Sequence, residues 1–248
     1  MAIIHMNFNS KSLEMNTEVT ILMPDQKGAN ETFKILYLLH GYMGDHTDWT
    51  RYTSLERYLF GERLMVVMPS VNNSYYANMT YGMKYFDYVA KELPDLMMSY
   101  FPVSNKREDH FIAGLSMGGY GALKIALSHP TYFSKAASLS GALNISSIRK
   151  LVENTPRASI FNASFGDNLI SEDNDLYSLV EKLQQDKKRF PDLYIACGTE
   201  DFLYQDNLNF KDFLIQHHIP FFYEESQGVH DWNFWDAYIQ KVLIWLKK

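Results

Sequence analysis

Short, almost continuous apolar runs recur along the chain at 35–39, 64–68, 111–115, 136–139 and 193–197, each leading into Gly, Pro or Ser. Such runs leave no side for solvent, so they predict strands buried on both faces, as in a parallel sheet. Between and after them, the apolar positions repeat at helical spacing over 85–100, 119–128, 176–187, 208–217 and 232–247. Strand and helix in alternation predict an α/β fold, a mostly parallel central sheet with helices on both faces. Two earlier strand-like runs, at 3–8 and 18–23, precede the turn-rich stretch 24–30 and predict an antiparallel edge. The rhythm breaks at about 144–190, which is polar, contains Pro156 and offers no strand run. A small cap insertion after a sheet strand is the expectation there. A chain of 248 residues, 46% of them hydrophobic, is expected to form one domain, 1–248, around one core.

The boundary between the run at 111–115 and the following helix carries Gly114-Leu115-Ser116-Met117-Gly118, a G-x-S-x-G pattern. A sharp strand-to-helix turn would expose Ser116 in a strained conformation, and small neighbours at Gly114 and Gly118 avoid a clash. The Met117 N–H, at a helix N-terminus, is then placed to stabilise a developing oxyanion. A serine hydroxyl needs a base, and the base needs a carboxylate to fix its tautomer. Downstream of Ser116, His129 ends the elbow's own helix, and His217 and His218 sit at another helix end. His230 instead lies in a loop between a strand-like 221–223 and the last helix, so it is the candidate base. The run at 193–197 leads into Gly198-Thr199-Glu200-Asp201, where either acid could reach His230; Asp201 is preferred and Glu200 competes. Asp206 and Asp231 read as helix-start residues. The earlier Leu39-His40-Gly41-Tyr42-Met43-Gly44 loop offers the Tyr42 N–H as a second oxyanion donor, with His40 bonding the loop backbone.

Aromatic residues make up 15% of the chain, and some are expected around the site. His40, Gly41, Trp49, Tyr75, Tyr76 and Trp232 are candidates for substrate contact, and Tyr81 for narrowing the entrance. The acidic residues Asp167, Glu172, Asp173 and Asp175 lack the ligand spacing of a calcium loop and read as solvated or capping groups. A net charge of −6 without a dense basic run argues against a nucleic-acid partner. Cys197, the single cysteine, excludes an intramolecular disulfide and a Cys-rich zinc site and is expected to be buried in a strand. No apolar stretch reaches membrane-spanning length and the N-terminus has no secretory pattern, so a cytoplasmic location is expected.

With these residues in place, the chain resembles the esterase D group of α/β-hydrolases, nearest to bacterial tributyrin or acetyl esterases. The resemblance rests on Leu39-His40-Gly41, the segment from Gly114 to Ala122, Phe165-Gly166-Asp167, the segment from Cys197 to Asp201, and Gly228-Val229-His230-Asp231-Trp232. It implies hydrolysis of a small-molecule ester with a short acyl chain, without metal or organic cofactor, often by a homo-oligomer. The same group includes S-formylglutathione hydrolases, feruloyl esterases and acyltransferases. The formylglutathione enzymes typically carry a Ser-Gly-Leu-Thr-Cys type oxyanion segment. This chain has His40-Gly41-Tyr42-Met43-Gly44 instead, a departure expected to disfavour glutathione thioesters.

Overall fold

A computed structural model describes residues 1–25 and 31–248. Of the predicted turn at 24–30, positions 26–30 lie outside the described residues. The strands are β1 (Ala2–Ser10), β2 (Met15–Met23), β3 (Lys34–Leu39), β4 (Leu64–Pro69), β5 (His110–Leu115), β6 (Lys135–Leu139), β7 (Asp192–Gly198) and β8 (Phe221–Ser226). They form one sheet in the order β1-β2-β4-β3-β5-β6-β7-β8. β2 runs antiparallel to both β1 and β4, and every other pairing is parallel. This is the expected α/β-hydrolase architecture, including the antiparallel edge.

The helices are α1 (Asp48–Tyr52), α2 (Leu55–Tyr58), α3 (Tyr85–Asp87), α4 (Leu93–Tyr100), α5 (Met117–Ser128), α6 (Ile145–Val152), α7 (Ala158–Phe165), α8 (Leu176–Gln185), α9 (Tyr204–Gln216) and α10 (Trp232–Trp245). Alternate residues of β3 show why its run is apolar throughout. Ile35, Tyr37 and Leu39 join the core formed with α4, α5 and α8, while Leu36 and Leu38 join the one formed with α1, α2 and α10. Full burial contributes roughly 2 kcal/mol for each such side chain, so a polar residue at any of these positions would be costly.

Two sequence expectations need revision. The helix expected over 85–100 is divided by a π-helical stretch, Tyr88–Glu92, just before Pro94. Proline has no N–H for the carbonyl one turn back, and a widened turn accommodates that loss. Asp206 stands at a helix start as read from the sequence, in the first turn of α9, which begins at Tyr204. Asp231 and Asp175 are true N-caps, accepting from the Phe234 and Ser178 N–H groups at 3.1 Å each. The interval 144–190 contains no strand, but α8 lies alongside α5 as the crossover helix between β6 and β7. Only α6 and α7 remain as added structure. The Thr80 and Tyr81 N–H groups bond the Ser164 and Ala163 carbonyls at the end of α7, at 3.2 and 2.9 Å.

Candidate active site

Ser116 stands between β5 and α5 with φ 52° and ψ −117°. Left-handed backbone is disfavoured for any residue bearing a Cβ, and the surroundings must hold it in place. The Ser116 N–H donates to the Leu139 carbonyl at 2.8 Å, and its carbonyl accepts from Tyr120 and Ala142 at 3.1 Å each. The turn also requires Gly118, because a Cβ there would lie 2.5 Å from the His40 carbonyl oxygen. That approach brings the 40–44 loop against the elbow.

His230, on the loop after β8, faces the serine. Its Nε2 is 2.9 Å from Ser116 Oγ, and its Nδ1 is 3.0 and 2.8 Å from the two carboxylate oxygens of Asp201. A nitrogen facing a carboxylate carries its proton there, which leaves Nε2 to accept from the serine hydroxyl. The Asp201 side chain is 0% exposed and also accepts from the Leu203 N–H at 2.8 Å. Glu200 is exposed and accepts from Gln227 instead. The two loops are joined backbone to backbone: Thr199 N–H donates to Ser226 at 2.9 Å and Glu200 N–H to Gly228 at 3.0 Å. Gly198 permits this, since a Cβ there would lie 2.3 Å from the Gly228 carbonyl oxygen. The spacing of Asp201 and His230 is therefore fixed by main chain rather than by long side chains.

Two of the other histidines after Ser116 serve helix ends instead. His129 closes α5 and stacks on Phe86 at 5.6 Å, and His217 closes α9 beside Gln184. Cys197 is buried in β7, and burial pushes its thiol well up. Of the acidic stretch, Asp175 caps α8 and Asp173 pairs with Lys182 at 3.5 Å. Among the described residues, no group of three or more His, Cys, Asp or Glu is arranged to hold a metal.

The segments that carry the two oxyanion candidates both adjoin Ser116. Met117 is the first residue of α5, so its N–H has no intrahelical partner. A Cβ built on Gly41, next to Tyr42, would lie 3.6 Å from Ser116 Cβ, so this loop passes directly beside Ser116. His40 fixes the loop. Its Nδ1 lies 2.7 Å from the Gly41 carbonyl and its Nε2 accepts from the Val71 N–H at 3.1 Å. Burial holds this imidazole neutral, with a pKa lowered to about 4.

Several residues expected to touch substrate are scaffold instead. His40, Trp49 and Tyr76 are essentially without exposure. The Trp49 indole N–H donates to the Leu39 carbonyl at 3.1 Å, and the Tyr76 hydroxyl to the His40 carbonyl at 2.9 Å. An aromatic with its one donor bonded to main chain serves packing, which its residue type alone does not reveal. Tyr75 is also buried, against Phe161 and Phe165 of α7 at 5.5 and 5.4 Å. Trp232 is half-buried and stacks on Tyr52 at 4.9 Å, and Tyr81 is exposed.

Sequence reasoning missed Phe202 and Trp235. Their rings lie 4.6 and 4.9 Å from the His230 ring, and Phe202 is 62% exposed. The first follows Asp201 directly and the second lies five residues past His230, so proximity to the acid and the base was the available signal.

Fold, elbow and the Asp201–His230–Ser116 chain define a serine hydrolase of the α/β-hydrolase type. The chain belongs to the esterase family described as "Putative esterase", whose model matches residues 10–246. It is similar to an acetyl esterase of Caldicellulosiruptor saccharolyticus, at 38% identity over 100% of this chain and 99% of that one. It is also similar to the fluorophosphonate-binding serine hydrolase F (FphF) of Staphylococcus aureus, solved with substrate bound. That match has 39% identity and a TM-score of 0.93, covering 100% and 98% of the two chains. An S-formylglutathione hydrolase (FrmB) of the same organism matches at 38% identity and a TM-score of 0.89, covering 100% and 99%. The protein is accordingly an esterase. Overall identity does not separate the acetyl esterase from the S-formylglutathione hydrolase, since both stand at 38%.

Proposed function

We propose that this esterase hydrolyses short-chain acyl esters, acetyl to butyryl, through an acyl-enzyme on Ser116. The observation that carries the reading is the unbroken chain from Asp201 through His230 to a serine oxygen held on a strained turn. As Ser116 Oγ bonds to the ester carbonyl carbon, His230 Nε2 takes the hydroxyl proton, and Asp201 stabilises the imidazolium. The Tyr42 and Met117 N–H groups receive the oxyanion. Collapse breaks the bond to the alcohol, which leaves with the proton from His230. Water, deprotonated by the same nitrogen, then frees the acid. Because the leaving oxygen must meet Nε2, Phe202 borders the alcohol side of the site. The Tyr75 ring, 5.9 Å from that of Tyr42 and packed on Phe161 and Phe165, is assigned as the wall that keeps the acyl group short. In this reading α6 and α7 act as the cap.

A second reading, hydrolysis of S-formylglutathione, is favoured by the likeness to the staphylococcal hydrolase. Acetyl, butyryl, octanoyl and feruloyl esters and S-formylglutathione, assayed side by side, separate the two. The expected order is acetyl and butyryl above all others. A preference for octanoyl overturns the short-chain reading, and a dominant thioesterase rate replaces it with the second. Ser116→Ala is expected to remove about 10⁴-fold or more of the turnover. Unchanged activity in that variant overturns the mechanism.

A further inference from the structure

Lys124 lies within α5 and is only 2% exposed, an unusual position for an ammonium. Its Nζ donates to Asn174 Oδ1 at 2.5 Å and to the Tyr76 carbonyl at 3.3 Å, and it faces the Phe86 ring at 4.9 Å. Burial lowers its pKa to about 7, opposed by the nearby charge of Asp173. The solvent cleft it borders, about 470 Å³, is lined by neither Ser116 nor His230, so the ammonium has no direct access to the reacting atoms.

What Lys124 does hold is a strained turn. Tyr75 and Tyr76 are consecutive residues with φ 52° each, and such a pair persists only where its surroundings impose it. Two positions of α5, three residues apart and hence on one face, impose it here. Lys124 binds the Tyr76 carbonyl. Gly121 makes room for the Tyr76 ring, since a Cβ there would lie 2.5 Å from ring carbons. The Tyr76 hydroxyl in turn donates to the His40 carbonyl, two residues before Tyr42.

We propose that Lys124 is a positioning residue for the oxyanion loop, fixing the Tyr75–Tyr76 turn so that Tyr76, through the His40 carbonyl, sets the aim of the Tyr42 N–H. The proposal rests on the oxyanion role assigned to Tyr42 above. It differs from a purely structural role in which step it affects. Charge develops on the oxyanion only in the transition state, so a misdirected donor lowers kcat and leaves KM nearly unchanged.

Lys124→Met keeps most of the stem and removes the ammonium. It is expected to lower kcat on an acetyl ester about tenfold, less than outright loss of a donor, with KM within about twofold. Affinity for phenylboronic acid, which forms a tetrahedral adduct on a serine oxygen, is expected to fall by a similar factor. Tyr76→Phe should behave alike, and the double variant should lose no more than the worse single, as links of one chain do. A lower Tm with unchanged kcat, or losses that multiply, would overturn the proposal. Gly121→Ala displaces Tyr76 without removing a buried charge. Its kcat is expected to fall similarly, and an unchanged value overturns the proposal even where Lys124→Met does not fold. Wild-type protein lacking Ser116-dependent ester hydrolysis would instead overturn the functional reading itself.

Discussion

The two halves of the site are built on different physical terms. On the serine side, β5 and α5 as far as Leu127 are buried, Ser116 between them is partly exposed, and the Gly118 backbone lies against the His40 carbonyl. On the histidine side, two loops carry Asp201 and His230 outward from β7 and β8, with Phe202 and Val229 exposed beside them. The first half resists change because the elements on either side of Ser116 are packed. The second keeps its geometry through two main-chain pairings, Thr199 with Ser226 and Glu200 with Gly228, which leaves exposed side chains such as Phe202 free to vary. Rigid positioning and an adaptable rim are thereby assigned to separate segments.

The contrast can be tested from its strongest point outward. Asp201→Asn should keep the fold and lower kcat by about 10³- to 10⁴-fold, because the amide no longer fixes the imidazole tautomer. Glu200→Gln should stay within about twofold, and a larger loss than in Asp201→Asn would reverse the assignment. Gly118→Ala attacks the packed half. With its Cβ 2.5 Å from the His40 carbonyl oxygen, overpacking should cost about 1–3 kcal/mol, read as a lower Tm together with lower kcat. A Tm equal to wild type would mean that the elbow yields more readily than its packing indicates.

The packed half should also respond to acid. The pKa of His40 is lowered to about 4 in the folded protein, against about 6.5 for a free side chain. Between those values the unfolded chain holds a proton that the folded one does not, so stability rises with pH through this window and falls as pH drops from 6.5 toward 4. The difference is about 3 kcal/mol across the whole window. Denaturant titrations at several pH values, with His40→Gln as reference, isolate it; parallel curves would show that His40 is protonated when folded. The smallest effect belongs to the rim. Phe202→Ala should alter KM for bulky alcohols by about two- to tenfold, a fraction of the roughly 1.5–3 kcal/mol that full burial of such a side chain supplies, and leave Tm in place.

The same division governs what could be read in advance. Ser116 was legible because an apolar run, two glycines and a helical pattern all bear on one position. His230 emerged from chain order and loop position. The choice between Glu200 and Asp201 was not available from adjacent acids, because which of them turns inward depends on the Gly198–Gly228 contact, a tertiary fact. The aromatics were read least well. Trp49, Tyr75 and Tyr76 have the composition of a binding pocket and the burial of a core, and only the partners of their N–H and O–H groups tell these apart. Helices α6 and α7 escaped notice because their stripes are short, and α8 was assigned to the cap although it closes an ordinary crossover.

The left-handed backbone of Ser116 has a consequence for the evolution of the chain. A glycine there would relax the turn and remove a Cβ from a conformation that resists one, so Ser116→Gly should be an inactive protein with a higher melting temperature than its parent. Mutational screens that reward robustness alone will therefore tend to remove the reactive oxygen, and only selection for turnover can retain a serine at this position.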